Sequence, residues 1–145
     1  MHKPTAKQTL DQHRSDPELS KVFRNKTILV TGGTGSIGSQ LVLELLQYNP
    51  KQIRIFSRDE SKQYYLMEKI NHHQGVRLFI GDIRDRERLD MAMQNVDIVF
   101  HSAALKHVPL CEYNPFEAVK TNIVGSQNVI ESALKHNVDK VIAIS

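Results

Sequence analysis

The chain has 145 residues, 40 % apolar and 24 % charged, which is one domain's worth of soluble sequence and enough to bury a core without disulfides or a structural metal. Its net charge of +3 is mixed along the chain, so no Lys/Arg block points to nucleic acid. The single Cys111 excludes an internal disulfide framework. The absence of zinc-ligand spacing, of a signal peptide and of any long apolar span predicts a cytoplasmic protein with no metal site and no membrane segment in this chain.

Residues 1–25 are polar, include Pro4 and Pro17, and read as an N-terminal arm packed loosely on the domain, with one helical turn over Pro17 to Phe23. From 26 to 145 short apolar runs alternate with helical patterns. Strands are predicted at Thr27 to Thr31, Gln52 to Ser57, Val76 to Ile80, Asp97 to His101 and Lys140 to Ser145. They are nearly continuous in apolar residues, as strands covered on both faces should be. The first helix carries Ile37, Leu41, Val42, Leu45 and Leu46 on one stripe and ends at Asn49-Pro50. The second runs from about Asp59 to His72 with Tyr65, Leu66 and Ile70 inward, and a short third follows Asp85 with Leu89, Ala92 and Met93. The fourth opens at Asn114-Pro115-Phe116-Glu117, with Asn114 as N-cap. Its apolar stripe is Val119, Ile123, Ile130 and Leu134. Such a βα alternation predicts an α/β doubly wound parallel sheet (Rossmann, order 3-2-1-4-5), ending after the fifth strand. The ligand crevice then lies at the carboxyl ends of strands one and four, where the strand order reverses.

The most informative segment is Ile28-Leu-Val-Thr-Gly-Gly-Thr-Gly-Ser-Ile-Gly38. A strand, a tight glycine turn and a helix start bring backbone N–H groups and a positive dipole end up to a pyrophosphate. The predicted contacts are Gly32, Thr34, Gly35, Ser36, Ile37 and Gly38. At the end of the second strand stand Ser57 and Arg58, where an NAD site usually carries an acid. A guanidinium suits a 2′-phosphate, so NADP is expected rather than NAD. Asp59 reads as the N-cap of the second helix, with a ribose contact as the alternative. Asp82 and Ile83, after the third strand, are predicted to meet the adenine, and the run Arg84 to Arg88 to be a solvated helix start. After the fourth strand, small Ala103 and Ala104 leave room for the cofactor, and Lys106 faces either the site or solvent. His101 reads as a satisfied core histidine. Asn122 lies inside the fourth helix, where it either bonds backbone at the floor of the site or is simply exposed.

The phrases Thr31 to Gly38, Phe56 to Glu60, Gly81 to Asp85, Ala103 to Pro109, Glu112 to Pro115 and Glu117 to Gly125 occur in this order. Together they resemble the inverting UDP-N-acetylglucosamine 4,6-dehydratases of the polysaccharide-biosynthesis group, extended short-chain dehydrogenases/reductases. The resemblance covers about Lys26 to Ser145; Ser102 departs from it, standing where an alanine is usual. It implies tightly held NADP, a UDP-N-acetylglucosamine-like sugar nucleotide and a homo-oligomer. It also implies a lyase reaction in which C4 is oxidised, water leaves across C5 and C6, and hydride returns to C6 with inversion at C5. The family's Thr-Asp-Lys run and Tyr/Met-x-x-x-Lys motif would follow the serine matching Ser145. No catalytic residue is therefore expected in this chain, and Lys106 and Asn122 are carried over only as active-centre support. The chain as given is expected to bind NADP weakly or not at all, to lack dehydratase turnover, and to self-associate through an open fifth-strand edge. The alternatives are a sugar-nucleotide 4-epimerase and a non-catalytic NADP(H)-binding regulatory module.

Overall fold

A computed structural model of the chain describes residues 16–102 and 115–144, apart from the side chains of Ala118 and Thr121. The first helix, α1 (Pro17–Phe23), begins where the Asp16 carboxylate accepts the Glu18 N–H. Its last residue, Phe23, is buried against Tyr48 and Phe100, with ring centroids 5.6 and 6.0 Å away, so this helical turn is fastened to the core. The sheet contains β1 (Thr27–Thr31), β2 (Gln52–Ser57), β3 (Val76–Ile80), β4 (Ile98–His101) and β5 (Lys140–Ala143) in the order β3-β2-β1-β4-β5. Every pairing is parallel. The doubly wound topology and its strand order are those that the alternation of apolar runs implied.

Side-chain alternation divides the strands between two cores. Ile28, Val30, Ile53 and Ile55 pack with Val42, Leu45 and Leu66 from α2 (Ser36–Leu45) and α3 (Glu60–Lys69). Leu29, Phe56 and Val99 pack with Leu89, Ala92, Met93, Val129 and Ala133 from α4 (Arg86–Met93) and α5 (Pro115–Lys135). This two-sided burial explains why β1 reads as an unbroken apolar run. Asp59 and Asp85 are the N-caps of α3 and α4, accepting the N–H groups of Lys62 and Arg88. Asn114 lies outside the described residues. Asp97 precedes β4 rather than opening it, and its Oδ2 accepts the Thr27 N–H at 2.8 Å. β5 is exposed along its length.

Three inward assignments from periodicity are overturned. Ile37 is 42 % exposed at the start of α2, and Tyr65 is 71 % exposed on α3, where Gln63 and Leu66 turn inward instead. On α5 the stripe Val119, Ile123, Ile130 and Leu134 faces outward, at 53, 62, 53 and 74 % exposure. The face against the sheet carries smaller residues, Gly125, Val129, Ser132 and Ala133. The reason is distance: a Cβ at Gly125 would stand 2.3 Å from the Ile83 Cδ1. The helix axis can come that near only with a small-residue face inward, which leaves the large residues on the flank.

Candidate functional site

The glycine turn joins β1 to α2 at the carboxyl end of the sheet. Gly32 has φ 67°, a left-handed conformation that favours glycine, and its N–H donates to the Phe56 carbonyl at 2.8 Å. Gly38 is required by proximity, since a Cβ there would lie 2.1 Å from the Gly32 oxygen and 2.8 Å from the Gly33 Cα. Gly35 is different: its nearest neighbour among the described residues would be 3.4 Å away, so none of them forbids a side chain. It is the N-cap of α2 and offers no side-chain cap, whereas Asp16, Asp59 and Asp85 cap α1, α3 and α4 with carboxylates. The first intrahelical bond runs from the Ser39 N–H to the Gly35 carbonyl, so the N–H groups of Ser36, Ile37 and Gly38 point ahead of the helix without helical partners. A bare glycine cap, free amides and the dipole end fit the pyrophosphate of a dinucleotide. Ser36 and Ile37 are exposed there and Thr34 is half-buried.

The ends of β2 and β3 form a charged cluster beside the turn. The Arg58 side chain is 59 % exposed, with Nη1 3.8 Å from Asp82 Oδ2. Asp82 Oδ1 accepts the Arg84 backbone N–H at 2.9 Å, and Oδ2 accepts Arg84 Nη2 at 2.7 Å. Arg84, its hydrogen bonds first among the causes, holds the Asp82 carboxyl below the usual range, while Asp82 and Glu117 raise the Arg84 pKa. Much of the acceptor capacity of Asp82 is thus taken by Arg84. Ile83 is 4 % exposed and directed into the core against Gly125, leaving little surface for a ring to cover. The run Arg84 to Arg88 is the start of α4, with Asp85 and Glu87 exposed, and its arginines are also bonded: Arg84 pairs with Asp82 and Glu117, Arg86 with Glu131, and Arg88 Nε donates to the Ile80 carbonyl.

Ser57 is buried, and its hydroxyl oxygen accepts Gln63 Nε2 at 2.8 Å. The same Nε2 donates to the Phe79 carbonyl at 3.0 Å. A carbonyl can only accept, so the amide orientation follows, and the Ser57 hydroxyl keeps its own proton for another acceptor. Gln63 Oε1 is buried without a hydrogen-bond partner among the described residues. Sequence reading passed over Gln63, although its i, i+3 spacing to Leu66 was the available signal.

At the ends of β1 and β4, Thr31, His101, Ser102 and, from α5, Ser126 meet in a hydrogen-bonded group. Asn128 on α5 donates to the Ile83 carbonyl at 2.9 Å, bracing the β3 loop. Neither Ser126 nor Asn128 carried a signal beyond lying within a helix. Asn122 is exposed on α5. Ala103, Ala104 and Lys106 lie outside the described residues. Among the described residues, no cluster of three or more His, Cys, Asp or Glu is placed to hold a metal, and no helix is long and apolar enough to cross a membrane.

A parallel sheet in this order, with a Gly-x-x-Gly-x-x-Gly turn and an uncapped helix at the reversal point, defines a nucleotide-binding fold of the short-chain dehydrogenase/reductase class. Within that class the chain belongs to the polysaccharide biosynthesis protein family, whose family model matches residues 28–145. It is 53 % identical over 125 residues to the UDP-N-acetylglucosamine 4,6-dehydratase (inverting) of Campylobacter jejuni, covering 86 % of this chain and 37 % of that protein. It is 56 % identical over 128 residues, with coverage of 88 % and 38 %, to a Methanocaldococcus jannaschii protein named an uncharacterized membrane protein. Identity to the UDP-glucose 4-epimerase of Rickettsia typhi is 46 % over 128 residues, with coverage of 86 % and 37 %. Among solved structures, Pen from Bacillus thuringiensis superposes with a TM-score of 0.79 at 50 % identity, over 83 % of this chain and 37 % of that one. The dTDP-glucose 4,6-dehydratase of Streptomyces venezuelae, solved with NAD bound, gives 0.71 at 26 % identity, with coverage of 79 % and 38 %. The chain therefore spans a little over a third of the length of these relatives, and they include both dehydratases and epimerases.

Proposed function

We propose that the chain is the NADP-binding portion of a UDP-N-acetylglucosamine 4,6-dehydratase that inverts C5, serving surface polysaccharide or glycan synthesis. The observation that carries this reading is Arg58, exposed at the end of β2 beside the bare start of α2, with no acid at position 57 or 58. The higher identity to the inverting dehydratases than to the 4-epimerases supports the dehydratase over its alternative. The α2 amides would hold the pyrophosphate and keep it at the crossover of β1 and β4. Arg58 would fork onto a 2′-phosphate, aided by the Ser57 hydroxyl, with Asp82 setting the guanidinium direction. NADP, when bound, would take hydride from the sugar C4 and later return it to C6. Ala103, Ala104 and Lys106 would border the nicotinamide half.

Two measurements test this reading. Titrating NADP and NAD into the chain should show preference for NADP; a preference for NAD refutes the cofactor assignment. Residues 26–145 are then exchanged for the matching stretch of the Campylobacter dehydratase and, separately, of the Rickettsia epimerase. Mass spectrometry on UDP-N-acetylglucosamine should find a product lighter by one water from the first chimera and no turnover from the second. An isomeric product from the second, with none from the first, would place the chain with the epimerases.

A further inference from the structure

Thr31 is the residue immediately before Gly32, and its hydroxyl oxygen accepts the Ser102 N–H at 3.1 Å. The Ser102 hydroxyl in turn donates to the Thr31 carbonyl at 2.6 Å. The Thr31 hydroxyl proton thus remains for His101 Nδ1, 2.7 Å away. With Nδ1 as acceptor, the proton of a neutral ring sits on Nε2, which faces the Ser126 hydroxyl oxygen at 3.1 Å. Burial, the cause acting on this ring, disfavours the cation. Every polar atom of the ring then has a partner of the right sense. The chain of bonds runs from Thr31 at the end of β1 through His101 at the end of β4 to Ser126 in the middle of α5. The same turn of α5 carries Gly125 against Ile83 and Asn128 on the Ile83 carbonyl, so the helix touches the loop after β3 as well as the end of β4.

We propose that His101 is a positioning residue, held as the neutral Nε2–H tautomer between Thr31 and Ser126, through which α5 sets the place where the glycine turn leaves β1. The proposal rests on reading that turn as a nucleotide site, but its hydrogen-bond pattern can be examined without nucleotide. His101 does no chemistry on the sugar in this account; it fixes the Thr31 hydroxyl and hence the approach of Gly32.

The test uses the 15N-labelled chain. Long-range proton–nitrogen spectra of the His101 ring should show a bare Nδ1 and a protonated Nε2. In Ser126→Ala the ring should lose its single tautomer and the amide resonances of Gly32, Gly33 and Gly35 should move. Ser126→Thr should restore both, and Gln127→Ala, on the solvent side of the same turn, should change neither. NADP affinity should fall roughly three- to tenfold in Ser126→Ala, the scale of one net hydrogen bond, and recover in Ser126→Thr. A protonated Nδ1 or a cationic ring in the wild-type chain overturns the proposal, and that measurement needs no variant. So does a Ser126→Ala chain whose glycine-turn resonances or NADP affinity match wild type. A preference for NAD counts against the proposed function alone; a wild-type chain that binds no dinucleotide fits the weak binding expected of it, and the ring and the glycine-turn resonances still decide this proposal.

Discussion

Placing a methyl group at Gly38 and at Gly35 separates packing from ligand contact within a single turn. A Cβ at Gly38 would lie 2.1 Å from the Gly32 oxygen, where ordinary contact begins at 3.4 Å, so α2 must retreat by roughly 1.3 Å. The obstructing atoms belong to the backbone and cannot rotate away. Gly38→Ala should therefore cost about 1–3 kcal/mol of stability, in the range for overpacking, and misplace the α2 amides enough to abolish measurable NADP binding. Among the described residues Gly35→Ala meets only one atom, at 3.4 Å, and it sits at the N-cap with extended backbone, φ −69° and ψ 171°. Its stability should change by no more than about 0.5 kcal/mol. Its methyl group would instead project where the pyrophosphate approaches, weakening NADP by roughly tenfold or more. Urea unfolding followed by circular dichroism, alongside NADP titration calorimetry, reads both quantities. A Gly38→Ala chain as stable as wild type would refute the close-approach account. A Gly35→Ala chain with wild-type affinity would show that the α2 start does not hold the phosphates.

Further outcomes are expected. Arg58→Ala should weaken NADP about tenfold while leaving NAD unchanged. Gln63→Glu, which replaces the donor to Ser57 with an acceptor and adds buried charge, should lower the NADP/NAD affinity ratio as well; paired calorimetric titrations compare the two. Gly125→Ala should cost about 1–3 kcal/mol in urea unfolding, because its Cβ would meet Ile83 Cδ1 at 2.3 Å, and a chain as stable as wild type would mean that Ile83 simply rotates aside. Stability should decline in two steps on acidification. Burial lowers the His101 pKa, so the unfolded chain takes up its proton first and stability is lost as pH falls below about 6.5. Arg84 and Ser132 hold Asp82 and Asp90 below their usual range, so a second loss begins below about pH 4 as those carboxylates protonate. His101→Asn should remove the upper step and leave the lower one, as urea midpoints across pH would reveal.

The amino-acid sequence by itself determined the strands and their order. Continuous apolar runs, aspartate caps at Asp59 and Asp85, and the glycine turn are local signals, and right-handed crossovers convert them into one topology. It also singled out Ser57, Arg58 and Asp82 at the strand ends, which the fold brings side by side. Only the tertiary structure decided which side of α5 meets the sheet. Val119, Ile123, Ile130 and Leu134 form the more apolar stripe, yet Gly125, pressed against Ile83, and Val129, Ser132 and Ala133 are the buried face. Periodicity measures how apolar a face is, not how near its partner stands. For the same reason the roles of Gln63, Ser126 and Asn128 were not legible along the chain: each bonds an atom on another element, Phe79, His101 and Ile83 in turn, which comes within 3.1 Å only when β3, β4 and α5 have packed.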